Sequence, residues 1–156
     1  MGVGSLPQEP VRAAGTSDEL QRPEHRRIAT PRRLNDVQRA TVRMARAKWA
    51  EELVANLYLR GGYEIIVRNW HCREGELDIV AVSQVDEVKT IVVIEVRARA
   101  TNYFGSPLES VTPAKQNKLR IATKKFLSSQ PKLKGPVRFD VASVLGVKVE
   151  IVRDAF

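Results

Sequence analysis

Residues 90–99 read TIVVIEVRAR. Four branched aliphatic residues, Ile91 to Ile94, run straight into Glu95, and Arg97 follows two places on. Such a run reads as a strand built for a core. Strand side chains alternate with a period of two, so Glu95 and Arg97 share a face with Ile91 and Val93. A carboxylate and a guanidinium at the end of a core strand require an explanation.

The neighbouring segments supply the frame. Leu77 to Ser83 (LDIVAVS) reads as a strand, QVDEV as a hairpin loop, and Thr90 to Ala98 as the next strand. Folding the two strands about that loop sets Asp78 opposite Glu95 on one face, with Cβ atoms ~4.5–5.5 Å apart. A slip of one residue would put them on different faces. Upstream, Tyr63 to Trp70 (YEIIVRNW) reads as a strand and HCREG as a turn. Asp36 to Arg60 has helical periodicity, with Val42, Ala45, Trp49, Leu53 and Leu57 on one side at ~100° per residue, and Gly61-Gly62 ends it. Glu52 sits at the edge of that stripe and Glu51 points away from it. Downstream, Gly105 and Pro107 break the chain. Thr112-Pro113 opens a helix with a hydroxyl cap and a proline at the first turn, running to about Ser128. Val137 to Leu145 and Val147 to Val152 complete the set. The order α-β-β-β-α-β-β defines an α/β domain, a mixed sheet flanked by helices, over residues 36–156. Residues 1–35, rich in Pro, Gly, Gln, Arg and Glu, are expected to form a disordered tail. Trp49 and Trp70 read as core, and Phe104-Gly105 as a tight turn.

The formal net charge is +8, unevenly spread. Residues 97–134 hold nine Lys or Arg against Glu109 alone. A concentrated basic surface suits a polyanion, most simply nucleic acid, or else serves as a solvated face. Cys72 is the single cysteine, and with only His25 and His71 it builds neither an intrachain disulfide nor a zinc site. The N-terminus lacks the apolar stretch of a signal peptide, and no run has the roughly 18 apolar residues of a membrane helix. The expectation is a soluble, cytoplasmic protein.

Two carboxylates held together repel, the more so where the dielectric is low. A retained proton, an intervening cation or a bound hard metal ion relieves the repulsion. Mg²⁺ takes one or two carboxylates with phosphate oxygens and waters, and beside a basic surface such a site suits metal-assisted attack on a phosphodiester. Against this stands a plainer reading: Glu95 and Arg97 form an ordinary ion pair, and Asp78 caps a turn.

NWHCREGELDIVAV, VVIEVRAR, FGSPLESVTPAKQNKLRIATKKFL and RFDVASV, in that order from about residue 45 onward, resemble the YraN family of bacterial proteins. That family is similar in fold to PD-(D/E)XK nucleases and archaeal Holliday-junction resolvases. The resemblance implies a restriction-endonuclease-like core, a Mg²⁺ or Mn²⁺ site and a nucleic-acid partner, with DNA preferred. Resolvase-like relatives imply a homodimer. Carried over by position, Asp78 of GELD is the strand Asp and Glu95 opens the E-x-K pattern, with Arg97 where that superfamily has Lys. The helix acid fits Glu52 with one residue fewer before Gly62, or Glu51 without that deletion, and the helical wheel favours Glu52. Glu76 is a candidate supporting residue or a polar turn residue.

Arg97 stays protonated near neutral pH and is a poor general base. Lys115 lies on the stripe of Leu119, Ala122 and Phe126, so it is expected to lean over the sheet edge. It or Gln116 would reach a phosphate, or Lys115 would simply snorkel. Lys118, Arg120, Lys124, Lys125 and Arg99 would contact the nucleic-acid backbone. Asp140 would pair with Arg138 or support the site. The leading expectation is a Mg²⁺-dependent endonuclease with Glu52, Asp78, Glu95, Arg97 and Lys115 in its site. Its alternatives are a nucleic-acid-binding protein on a nuclease scaffold and an adaptor for an acidic protein.

Overall fold

The computed structural model describes residues 34–83, 88–100 and 111–156. The expectations for the N-terminal tail up to residue 33, for residues 84–87 of the loop and for the Phe104-Gly105 turn fall outside them. The elements are α1 (Asp36–Arg60), β1 (Tyr63–Cys72), β2 (Gly75–Ser83), β3 (Ile91–Arg99), α2 (Pro113–Ser128), β4 (Val137–Leu145) and β5 (Lys148–Val152). They form one five-stranded sheet in sequential order β1-β2-β3-β4-β5. Neighbours are antiparallel except β3 and β4, which run parallel. A parallel pair needs a long crossover, and α2 supplies it.

The sheet is covered on both faces, giving three layers. Ala50, Val54, Ala55 and Tyr58 of α1 pack with Ile79, Ala81, Val92, Ile94, Ala142 and Val144. Leu119, Ala122 and Phe126 of α2 pack on the other face with Leu77, Val80, Val82, Ile91, Val93 and Val141. Sandwiching explains why β3 is apolar at every position from Ile91 to Ile94: each residue is buried on one side or the other.

Three expectations change. The tail boundary moves, because Asn35 already belongs to the fold. Its side chain accepts from the Gln38 amide at 2.8 Å while Gln38 Oε1 accepts from the Asn35 amide at 3.0 Å, a capping box that starts α1. HCREG is mostly strand, with only Arg73-Glu74 left as the turn. The buried face of α1 is also different from the expected stripe. Trp49 is 45% exposed and Val42 44%, while Ala50 and Ala55 let the helix approach the sheet closely. Tyr58 joins them because its hydroxyl has a buried partner, donating to Asp140 Oδ2 at 2.7 Å. Trp70 is half-buried and packs against the core, edge-on to Phe126 with ring centroids 5.5 Å apart.

Candidate functional site

The site is built at the carboxyl end of β3, where the chain leaves for α2. In parallel α/β connections this is the end at which ligands bind. The β2–β3 register runs Val80↔Val93 and Ile79↔Ile94. One further step sets Asp78 opposite Glu95, the pairing expected from the hairpin. The ladder stops there because Asp78 takes over: its Oδ2 accepts the Val96 backbone N–H at 2.7 Å. A backbone donor that the sheet no longer satisfies thereby anchors a carboxylate.

Asp78 also sits where β2 loses its alternation. Leu77 and Val80 both pack on the α2 side, although an unbroken strand would put them on opposite faces. The strand opposite, β1, is irregular at the same level. Arg68↔Ile79 and Trp70↔Leu77 flank Asn69, and Asn69 adopts φ 51°, a left-handed conformation that Asn tolerates better than most residues. Asn69 Nδ2 donates to Glu51 Oε2 at 2.9 Å. Glu51 and Asn69 therefore link α1 to β1 at the level of Asp78.

Glu95 is 3% exposed. Its two oxygens have unlike surroundings. Oε1 faces Lys115 Nζ at 3.2 Å and Arg97 Nε at 3.3 Å. Oε2 is buried with no hydrogen-bond partner among the described residues. Burial pushes the Asp78 carboxyl up to about 7, with the Glu95 charge adding to the rise. Burial likewise raises Glu95, against the opposing pull of Lys115 and Arg97. Lys115 projects from the first turn of α2, whose Thr112 hydroxyl accepts from the Lys115 amide at 3.3 Å. Its ammonium also lies 3.7 Å from Glu76 Oε1, and Glu76 Oε2 lies 3.6 Å from His71 Nδ1. Glu76 is thus a strand residue facing the cluster.

The structure brings Asp78, Glu95, Arg97, Lys115 and Glu76 together. It separates Glu52 from them: Glu52 is exposed and pairs with Arg68 at 2.7 Å. Glu51 is the helix acid whose charge reaches Asp78. This corrects the expected helix acid, and the reason is the rotated face of α1. On a wheel centred on Ala50, Val54, Ala55 and Tyr58, Glu51 falls within about 40° of the centre. Gln116 spends its amide on the Val111 carbonyl at 3.2 Å. Lys125 is paired with Glu74, and the Arg120 guanidinium lies over the Phe156 ring at 5.1 Å. Lys118 faces a cavity beside the site, Lys124 is exposed, and Arg99 lines a small recess with Ser143 and Glu150. Asp140 is committed to structure, taking Arg138 at 2.9 and 3.0 Å, Tyr58 and the Asp154 amide. Asn69 and His71 carried no signal beyond their residue types.

Among the described residues no three His, Cys, Asp or Glu side chains converge as a metal cluster. Two carboxylates alone still match the hard-oxygen preference of Mg²⁺, which keeps several waters and takes substrate oxygens. The buried, unpartnered Oε2 of Glu95 is an oxygen such an ion would satisfy, so the donor set fits.

Fold and site together define a three-layer α/β protein with a strand-borne carboxylate pair, Glu95 buried and Asp78 half-buried, and a lysine of the crossover helix against Glu95. The chain belongs to UPF0102, described as an uncharacterised protein family, whose sequence model matches residues 50–144. A UPF0102 protein of Clavibacter michiganensis is 41% identical over 110 residues, covering 67% of this chain and 90% of its own length. One from Acidothermus cellulolyticus is 39% identical over 132 residues, covering 75% and 97%. A third, from Syntrophomonas wolfei, is 42% identical over 97 residues, covering 62% and 81%. No helix among the described residues is long and apolar enough to cross a membrane.

Proposed function

We propose that this protein is a divalent-metal-dependent endonuclease that hydrolyses phosphodiester bonds in DNA. Asp78 and Glu95 hold Mg²⁺ or Mn²⁺ in this reading. The observation that carries it is the buried Glu95 oxygen without a hydrogen-bond partner beside a second carboxylate whose pKa burial has raised. When bound, the ion would polarise the phosphate and activate a water. Lys115 and Arg97 crowd the other Glu95 oxygen, where they offset its charge and attract a phosphate. A guanidinium is a poor general base, so Arg97 neutralises and orients rather than abstracting a proton. Val96 fixes Asp78 through its amide, and Glu51 adds negative charge from the α1 side.

One observation favours a second reading, nucleic-acid binding without cleavage. Arg97 stands where the resemblance implies a lysine, and no three acids among the described residues converge as a metal cluster. Titration calorimetry with Mg²⁺ and Mn²⁺ on the wild type and Glu95→Ala tests the site. The expected result is a loss of affinity of at least about tenfold in the variant, since even supporting residues of metal sites cost that much. Equal binding by both proteins removes the assignment. Incubation of the metal-loaded protein with four-way junctions, flaps, single strands and RNA then separates the readings. Cleavage of DNA supports the endonuclease; salt-sensitive binding without cleavage supports the second reading.

A further inference from the structure

A cavity of about 350 Å³ opens between the β1–β2 turn and α2. His71, Arg73, Glu76, Lys115 and Lys118 line it, with Leu119 at its floor. Its size lies near the lower end of the ~300–1,000 Å³ of small-ligand sites, which leaves room for one compact ligand. The lining is selective. Glu74 at the turn is already neutralised by Lys125, and Glu76 is held between His71 and Lys115. Arg73 and Lys118, both exposed, give the mouth its positive charge. The Arg73 guanidinium and His71 imidazole are planar, the two kinds of polar side chain that stack on an unpaired base. Lys115 belongs to the cavity and to the carboxylate pair at once, 3.2 Å from Glu95 Oε1.

We propose that this cavity receives a single unpaired nucleotide of a DNA strand, with its phosphate on Arg73 and Lys118 and the adjoining phosphodiester at Lys115 and Glu95. The inference rests on the proposed DNA-cleaving function and narrows its substrate to DNA with an unpaired nucleotide beside the scissile bond. A paired nucleotide stays in its stack and does not fill a concave site, whereas an unpaired one enters at little cost.

Fluorescence anisotropy on the full chain, in EDTA, with a short single-stranded DNA and a blunt duplex of the same sequence tests it. Arg73→Ala/Lys118→Ala is compared with Lys132→Ala/Lys134→Ala, which removes two exposed cations away from the cavity. The expected result is a loss of single-strand affinity of about tenfold or more in the cavity variant, with duplex binding falling no further than in the control. Equal effects of both variants on both DNAs overturn the inference, because they describe diffuse attraction alone. All four substituted residues are exposed, so folding is preserved. EDTA makes the readout independent of the metal. Absent cleavage with an intact single-strand preference therefore removes the nuclease reading alone, and cleavage without the preference removes the cavity assignment alone.

Discussion

Asp78 is half-buried beside the buried Glu95, and that has a consequence for pH. The Asp78 carboxyl titrates at about 7 in the folded protein because burial and the Glu95 charge oppose ionisation. Unfolded, it titrates near the ordinary value of about 3.9. Between those values the folded chain holds a proton that the unfolded chain has released, so stability falls as pH rises from about 4 through about 7 and then levels. Asp78→Asn removes this slope while keeping an oxygen for the Val96 amide. Urea unfolding at pH 5 and pH 8 without divalent ions should show the variant gaining on the wild type by about 1–3 kcal/mol at the higher pH. A constant difference across that range would contradict the buried-carboxylate description. Millimolar Mg²⁺ should return part of the wild-type loss at pH 8, since an ion that binds only the folded state stabilises it.

The elements differ in how openly the sequence declared them. β3 was legible because four consecutive branched residues leave no exposed face, and its Glu95 and Arg97 could be placed by alternation alone. α2 was legible because a capping hydroxyl, a proline and Leu119, Ala122 and Phe126 at helical spacing agree. Lys115 followed from the same stripe. The buried face of α1 is not legible from periodicity because it holds two alanines, Val54 and a tyrosine with a buried carboxylate partner, whereas the large apolar side chains Trp49 and Val42 remain half exposed. The face of Glu51 is hidden with it. The left-handed conformation of Asn69 is hidden because a single such residue inside a strand leaves no periodic trace. Two substitutions test the elements. Tyr58→Phe strips a donor from Asp140, which is 1% exposed, and should cost about 1–2 kcal/mol in denaturant unfolding. Gly135 has φ +149°, and a Cβ there would stand 2.3 Å from the Lys89 carbonyl oxygen. Gly135→Ala should therefore destabilise by about 1–3 kcal/mol. Because Gly135 lies just before β4, which starts at Val137 beside the amino end of β3, metal affinity of the folded variant should match the wild type.

At the scale of the molecule, the formal charge of +8 is less informative than where its cations are committed. Lys125 is bound to Glu74, and Arg120 lies over Phe156. Lys115 is held between Glu76 and Glu95. Lys118 instead opens on the cavity beside the carboxylate pair. A phosphate contact releases counterions, and the salt slope of binding counts the contacts, at about 0.7 per contact for a single strand. Anisotropy titrations of single-stranded DNA at several salt concentrations should give a negative slope for the wild type. Lys118→Ala should reduce that slope by about 0.7, whereas Lys125→Ala should change it by less than half as much, because its ammonium is already engaged. If Lys125→Ala matched Lys118→Ala, net charge rather than placement would govern binding. Binding that ignored salt would remove the polyanion partner itself, and with it the reason to read the basic stretch from 97 to 134 as an interface.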